Sequence, residues 1–215
     1  MSGSAGGRRE RVGILGGAFN PPHLGHLWLA QEAHIQLGLD RVLLVPFGEA
    51  PHRELDADPG PRERLRLAQL AASGDDRLVV SPIEANRSGP SYMADTLTLL
   101  IETEPAVELT LILGADQAMK LRGWHEPELV LELARLAVAD REGVGRDDVA
   151  AALDGLPGAD AIEGFELPRI EVSSTLIRER VAAGLSIRYL VPDAVAEHIA
   201  TTGLYRATST AEAAR

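Results

Sequence analysis

The chain has 215 residues, 45% of them hydrophobic, with a formal net charge of −11 at pH 7 and no cysteine. That length fits one domain, or one domain with a small appendage, and the apolar content is enough for a real core. The acidic balance argues against nonspecific nucleic-acid binding, which needs a basic face, and the missing cysteines exclude disulfides, thiolate metal sites and a cysteine nucleophile.

Residues 1–10 are small, polar and charged, and are expected to be disordered. They hold no apolar leader core, and no apolar run in the chain reaches membrane-spanning length, so a soluble, cytoplasmic protein without a membrane partner is expected. Arg11 to Leu15 predicts a first strand, and a helix follows His23 and stops near Gly38. Arg41 to Pro46 predicts a second buried strand ended by proline. Residues 47–61 read as a loop of functional length, and Arg62 to Ala72 as a helix with Pro61 at its start. Leu78 to Ser81 is a third strand, Ala94 to Glu102 a helix, and Leu109 to Leu113 a fourth strand that Gly114-Ala115-Asp116 ends. Pro127 to Ala134 is helical and Leu136 to Ala139 is a fifth strand. Residues 144–163 predict a short helix followed by a broken segment. Phe165 to Leu167 is a sixth strand, Ser174 to Ala183 and Asp193 to Thr201 are helices, and residues 206–215 are a frayed tail. Continuous apolar strands alternating with helices predict an α/β fold, a parallel sheet covered on both faces. Ligands then sit beyond the carboxyl ends of the strands, where the loops after strands one, two and four converge.

The stretch Gly16-Gly17-Ala18-Phe19-Asn20-Pro21-Pro22-His23-Leu24-Gly25-His26 carries the chemistry. It joins a strand to a helix, where free backbone N–H groups and a positive helix end favour a phosphate. Gly16 and Gly17 let the backbone approach a ligand, and Pro21 and Pro22 stiffen the start of the helix. His23 and His26, three apart, share a helix face. The spacing suits two donors to a polyphosphate, half of a zinc site, or two capping histidines. Zinc needs further ligands, and no histidine–carboxylate partner set stands out.

This turn resembles the (T/H)xGH signature of the nucleotidyltransferase superfamily, with Asn20 where Asp is usual. Val172-Ser173-Ser174-Thr175-Leu176-Ile177-Arg178 is similar to that superfamily's I-S-S-T-x-I-R motif, and is also a plain helix start with a hydroxyl cap. Three central stretches, Pro46 to Arg53, Gly89 to Leu97 and Gly114 to His125, and the closing Arg188-Tyr189-Leu190-Val191-Pro192 with Leu204-Tyr205, resemble the bacterial nicotinate-nucleotide adenylyltransferases. The likeness runs over residues 11–205, with a C-terminal helical part from about 173.

The resemblance implies a Rossmann-like, doubly wound parallel sheet and adenylyl transfer from ATP to nicotinate mononucleotide, giving nicotinate adenine dinucleotide and pyrophosphate. It implies that His23, His26 and Arg178 are catalytic. ATP contacts are implied for Gly16, Gly17, Ala18, Phe19, His23, His26, Gly114, Asp116, Ser173, Ser174, Thr175 and Arg178. Nicotinate-nucleotide contacts are implied for Arg53, Tyr92, Met93, Asp116, Trp124, His125 and Arg141. Trp124 stacks on the pyridine ring in this scheme, and the backbone N–H groups of Trp124 and His125 hold its carboxylate. Arg53 replaces the family's lysine, and Met93 replaces its threonine. Mg²⁺ is implied on the ATP phosphates, with no protein metal site, and a homo-oligomer is compatible. The closing motif is expected to pack the last helices. The rival readings are another small nucleotidyltransferase, acting on nicotinamide mononucleotide or phosphopantetheine, and a non-catalytic nucleotide-binding module.

Overall fold

The computed structural model describes residues 8–50, 55–140 and 145–207. Among them, six parallel strands form one sheet in the order β3-β2-β1-β4-β5-β6. The strands are β1 (Glu10–Gly17), β2 (Arg41–Pro46), β3 (Leu78–Val80), β4 (Val107–Gly114), β5 (Ala134–Asp140) and β6 (Glu163–Glu166). The helices are α1 (Leu24–Gln36), α2 (Pro61–Ala72), α3 (Met93–Thr103), α4 (Ala115–Ala118), α5 (Pro127–Leu133), α6 (Arg146–Ala152), α7 (Ser174–Ala182) and α8 (Asp193–Thr202). The chain order reverses between β1 and β4, the central pair. That reversal opens the crevice in which doubly wound sheets bind ligands.

Alternation along each strand divides the core into two layers. Val12, Ile14, Leu43, Val45, Leu109, Leu111 and Leu113 face α3, α4, α5 and α6. Leu15, Val42, Leu44 and Ile112 face α1 and α2. A third cluster packs Ile177 of α7 and Val195 and Ile199 of α8 on Leu67 and Ala71 of α2. The C-terminal helices therefore cover the outer side of α2, and this brings them beside the β1–α1 turn. No helix of the described residues is long and apolar enough to cross a membrane.

Three expectations are corrected. Glu10, expected within a disordered N-terminal stretch, opens β1 and pairs with Val107. Gly16 and Gly17 do not form the turn. They are the last residues of β1, paired with Val45 and Pro46, so the turn begins at Ala18. After β4, a one-turn helix and a 3-10 turn at Leu121–Gly123 replace the expected loop. Ala115, Ala118 and Leu121 enter the core, and that burial outweighs the weak helical signal of so short a segment.

Candidate active site

From Phe19 to His23 the turn is buried like the core. Phe19 is 1% exposed and adopts φ 49°. A left-handed backbone costs a bulky residue about 1–2 kcal/mol, so surrounding contacts must hold it there. Phe19 was expected against ATP, but its ring is buried and lies 5.0 Å, centroid to centroid, from the ring of His26. The ring supports the histidine, and only the backbone of Phe19 is left for a ligand. The Asn20–Pro21 peptide bond is cis.

His23 and His26 stack at 3.8 Å between ring centroids. A Cβ on Gly25 would lie 3.0 Å from Nδ1 of His23, so glycine is what lets the ring fold over the helix start. The backbone N–H of His23 donates to Nδ1 of His26 at 3.2 Å. An accepting Nδ1 puts the proton of the neutral ring on Nε2 and fixes the tautomer. Burial lowers the pKa of His23 to about 4. Burial first, and then the neighbouring His23, hold the pKa of His26 well below its usual value. Both rings are therefore neutral near pH 7, and act as oriented N–H donors rather than cations. Nδ1 of His23 is buried with no hydrogen-bond partner among the described residues, which leaves Nε2 for a ligand.

The start of α7 closes on this turn. Ser174 Oγ donates to the Pro21 carbonyl at 2.7 Å, and Arg178 donates to the Asn20 carbonyl at 2.9 Å. Arg178 also donates to Thr175 Oγ1 at 3.3 Å. Ser173 Oγ caps α7 by accepting from the N–H of Leu176 at 3.1 Å, which occupies a lone pair and leaves its O–H as a donor. The guanidinium of Arg178 has five N–H donors, more than these contacts take.

Beside the turn lies a cavity of about 360 Å³, walled by Gly16, Gly17 and Ala18 on one side and by Tyr92, Met93, Trp124 and His125 on the other. Phe47, Glu84, Ser91, Leu113 and Gln117 complete the lining. A Cβ on Gly16 would sit 3.0 Å from the terminal methyl of Met93, so a side chain there would press the end of this methionine aside. Tyr92 and His125 stack at 4.3 Å. Trp124 is half-buried and also packs on the core beneath α3 and α5. Its backbone N–H was expected to hold a carboxylate, but it donates to the Leu121 carbonyl at 2.9 Å. Only the N–H of His125 remains from that pair. Leu113 and Gln117 line this cavity at the end of β4, whereas Asp116, expected at the nicotinate nucleotide, is exposed on α4 outside the lining. Arg53 and Arg141 lie outside the described residues.

Sequence reading missed the groups that hold these walls. Arg64 of α2 is 1% exposed. It donates to the carbonyls of Phe47 and Gly48, the latter at 2.6 Å, and pairs with Asp58 at 2.9 Å. Nothing in the helical spacing of 61–72 distinguishes it from a surface arginine. Glu84 is 3% exposed and accepts from Thr96 Oγ1 at 2.7 Å. Burial raises its pKa. Among the described residues no group of three or more histidine or acidic side chains could hold a metal ion.

The cytidylyltransferase-like family model matches residues 14–180. A protein of Roseiflexus sp. (strain RS-1) named "Probable nicotinate-nucleotide adenylyltransferase" is 44% identical over 91% of this chain and 98% of its own. A protein of the same name from Saccharopolyspora erythraea is 38% identical over 93% of this chain and 91% of its own. Among solved structures, Plasmodium falciparum nicotinic acid mononucleotide adenylyltransferase complexed with NaAD superposes with a TM-score of 0.74 at 16% identity, covering 91% of this chain and 97% of that one. The same enzyme complexed with APC gives 0.72 at 17% identity, with the same coverage. At that identity, the two structures speak for the fold.

Proposed function

The chain belongs to the cytidylyltransferase-like family, and from that membership we infer an enzyme that transfers the adenylyl group of ATP to nicotinate mononucleotide in NAD biosynthesis. The products are nicotinate adenine dinucleotide and pyrophosphate. The relatives' names supply the reaction. One geometric observation carries its placement. The strand end Gly16–Gly17 and the first turn residue Ala18 wall the cavity and run directly into the histidine turn, which supports a base pocket and a phosphate site with one shared wall.

In the mechanism that this supports, an oxygen of the mononucleotide's phosphate attacks the α-phosphorus of ATP. One P–O bond forms there as the bond to the bridging oxygen of the β-phosphate breaks, and pyrophosphate leaves. The attacking phosphate is already ionised, so no proton has to be removed. Catalysis is alignment plus stabilisation of charge on the α-phosphoryl oxygens. Nε2 of His26, protonated because Nδ1 accepts from the backbone, donates to that group, and His23 donates beside it. Arg178 supplies the positive charge that two neutral imidazoles cannot, toward the leaving pyrophosphate. The N-termini of α1 and α7 add backbone dipoles at the same place. Mg²⁺ enters as part of the substrate, on the ATP phosphates, which suits a site built of N–H donors rather than carboxylates. The 360 Å³ cavity has the size of a small-ligand site, with Trp124 and Tyr92 as aromatic walls for a pyridine ring.

The experiment is pyrophosphate release by purified protein with MgATP and, separately, nicotinate mononucleotide, nicotinamide mononucleotide and phosphopantetheine. Release with the nicotinate form, at the highest kcat/KM of the three, is the expected result. Release with phosphopantetheine alone would move the protein to another branch of the family. No release with any acceptor would leave a nucleotide-binding module.

A further inference from the structure

We propose that Tyr205, at the far end of the chain, is a positioning residue for the histidine turn and acts through the side chain of Asn20. The proposal rests on the adenylyl-transfer reading for its kinetic consequences, and on geometry alone for the contact. Asn20 is 2% exposed, and its polar groups are spent on different parts of the chain. Its Oδ1 accepts from the Tyr205 hydroxyl at 2.7 Å. Its Nδ2 donates to the Asp56 carbonyl at 3.1 Å, and its own carbonyl accepts from Arg178 at 2.9 Å. One residue on, the Pro21 carbonyl accepts from Ser174. The turn is thus gripped by the loop before α2, by the start of α7 and by the segment after α8.

The local backbone shows why such a grip is needed. Tyr205 at φ 61°, at one end of the contact, and Phe19 at φ 49°, next to Asn20 at the other, both adopt left-handed conformations that bulky residues rarely hold. Residues persist there when their surroundings over-determine them. Phe19 in turn lies against His26, so a turn that relaxes at residue 19 moves the ring that donates to the α-phosphoryl group. The N–H of Leu24 donates to the Leu190 carbonyl at 3.0 Å, so the C-terminal part reaches the start of α1 as well.

The same contacts account for asparagine at position 20. The site needs one donor, toward Asp56, and one acceptor, toward Tyr205. An ionised aspartate accepts only, and would face the Asp56 carbonyl with like polarity. The amide satisfies both.

Tyr205→Phe keeps the ring and removes the hydroxyl. The expected result is a kcat about tenfold lower with KM for ATP changed less than about twofold, the signature of an interaction that matters in the transition state. In a His26→Ala background the same change should cost less than about twofold, because the residue it acts through is gone. A second readout needs no substrate. ¹⁵N spectra of histidine-labelled protein should show the Nε2–H tautomer of His26 in the wild type, shifting toward a tautomer mixture in Tyr205→Phe and Asn20→Asp. Equal loss of kcat in both backgrounds, or unchanged kcat with unchanged histidine spectra, would overturn the proposal and leave Tyr205 as packing. If the wild type releases no pyrophosphate with any acceptor, the reaction reading fails, and the spectra alone decide whether the contact positions His26.

Discussion

Replacing Arg64 with methionine tests whether the cavity is held from beneath. The guanidinium is buried, donates to the carbonyls of Phe47 and Gly48, pairs with Asp58, and lies 4.9 Å from the centre of the Phe47 ring. Methionine keeps the apolar stem and removes every donor. Each buried carbonyl left unpaired costs about 1–3 kcal/mol. Breaking a buried charge pair from one side costs about 3–5 kcal/mol. The Asp58 side chain keeps 31% exposure and regains water, so the parts do not add in full, and the net loss expected is about 4 kcal/mol. For a chain of this size that is a fall in Tm of roughly 8–16 °C. Because Arg64 also donates to the Ala18 carbonyl at 3.4 Å, and Ala18 and Phe47 line the cavity, KM for the mononucleotide should rise more than KM for ATP. Urea and thermal unfolding give the stability, and initial rates at varied substrate give the KM values. A loss under about 1 kcal/mol with unchanged KM would refute the argument, by showing that those carbonyls find other donors.

His26→Ala should lower kcat about 100-fold or more with a near-normal Tm, since the ring supplies a transition-state donor at the turn; a variant with normal turnover would remove His26 from the mechanism. Stability should fall on acidification. The unfolded chain protonates its histidines near pH 6.5, whereas burial holds His23 unprotonated to about pH 4, so between those values the unfolded state binds more protons. His23 alone should cost about 3 kcal/mol by pH 4. A His23→Gln variant should show a shallower acid limb in denaturation, and the kcat profile of the wild type should show no histidine titration near pH 6.5. Gly48→Ala would place a Cβ 2.5 Å from the Glu84 carbonyl, closer than any backbone tolerates. It should lower the urea midpoint by the equivalent of about 2 kcal/mol, and an unchanged midpoint would mean that the loop at 82–87 yields freely.

Much of the fold was legible because strands buried on both faces must be apolar throughout. Arg41–Pro46 is that pattern in its plainest form, and the observed β2 has the same bounds. Helix bounds were legible where the backbone chemistry is local, as at Pro61 opening α2 and at Gly38, with φ 60°, following α1. The one-turn helix after β4 was not legible, because its stability comes from burying Ala115 and Ala118 rather than from its own propensity. In the site, the histidine turn and the aromatic wall stood out as motifs. That Leu113 and Gln117 rather than Asp116 line the cavity could not be read without knowing how the chain leaves β4.

The sequence alone determined the alternation of strands and helices, the histidine pair at a strand–helix junction, and the family those motifs resemble. Each depends on residues close together in the chain, where spacing and side-chain chemistry suffice. Only the tertiary structure decided what holds the pair in place. The buried guanidinium of Arg64, the bonds from α7 to the carbonyls of Asn20 and Pro21, and the bond from Tyr205 to Asn20 across 185 residues all arise when α2, α7 and the end of the chain pack together. Periodicity reports which face of an element is buried; it carries no information about which distant polar group meets which, and that pairing is what orients the donors of this site.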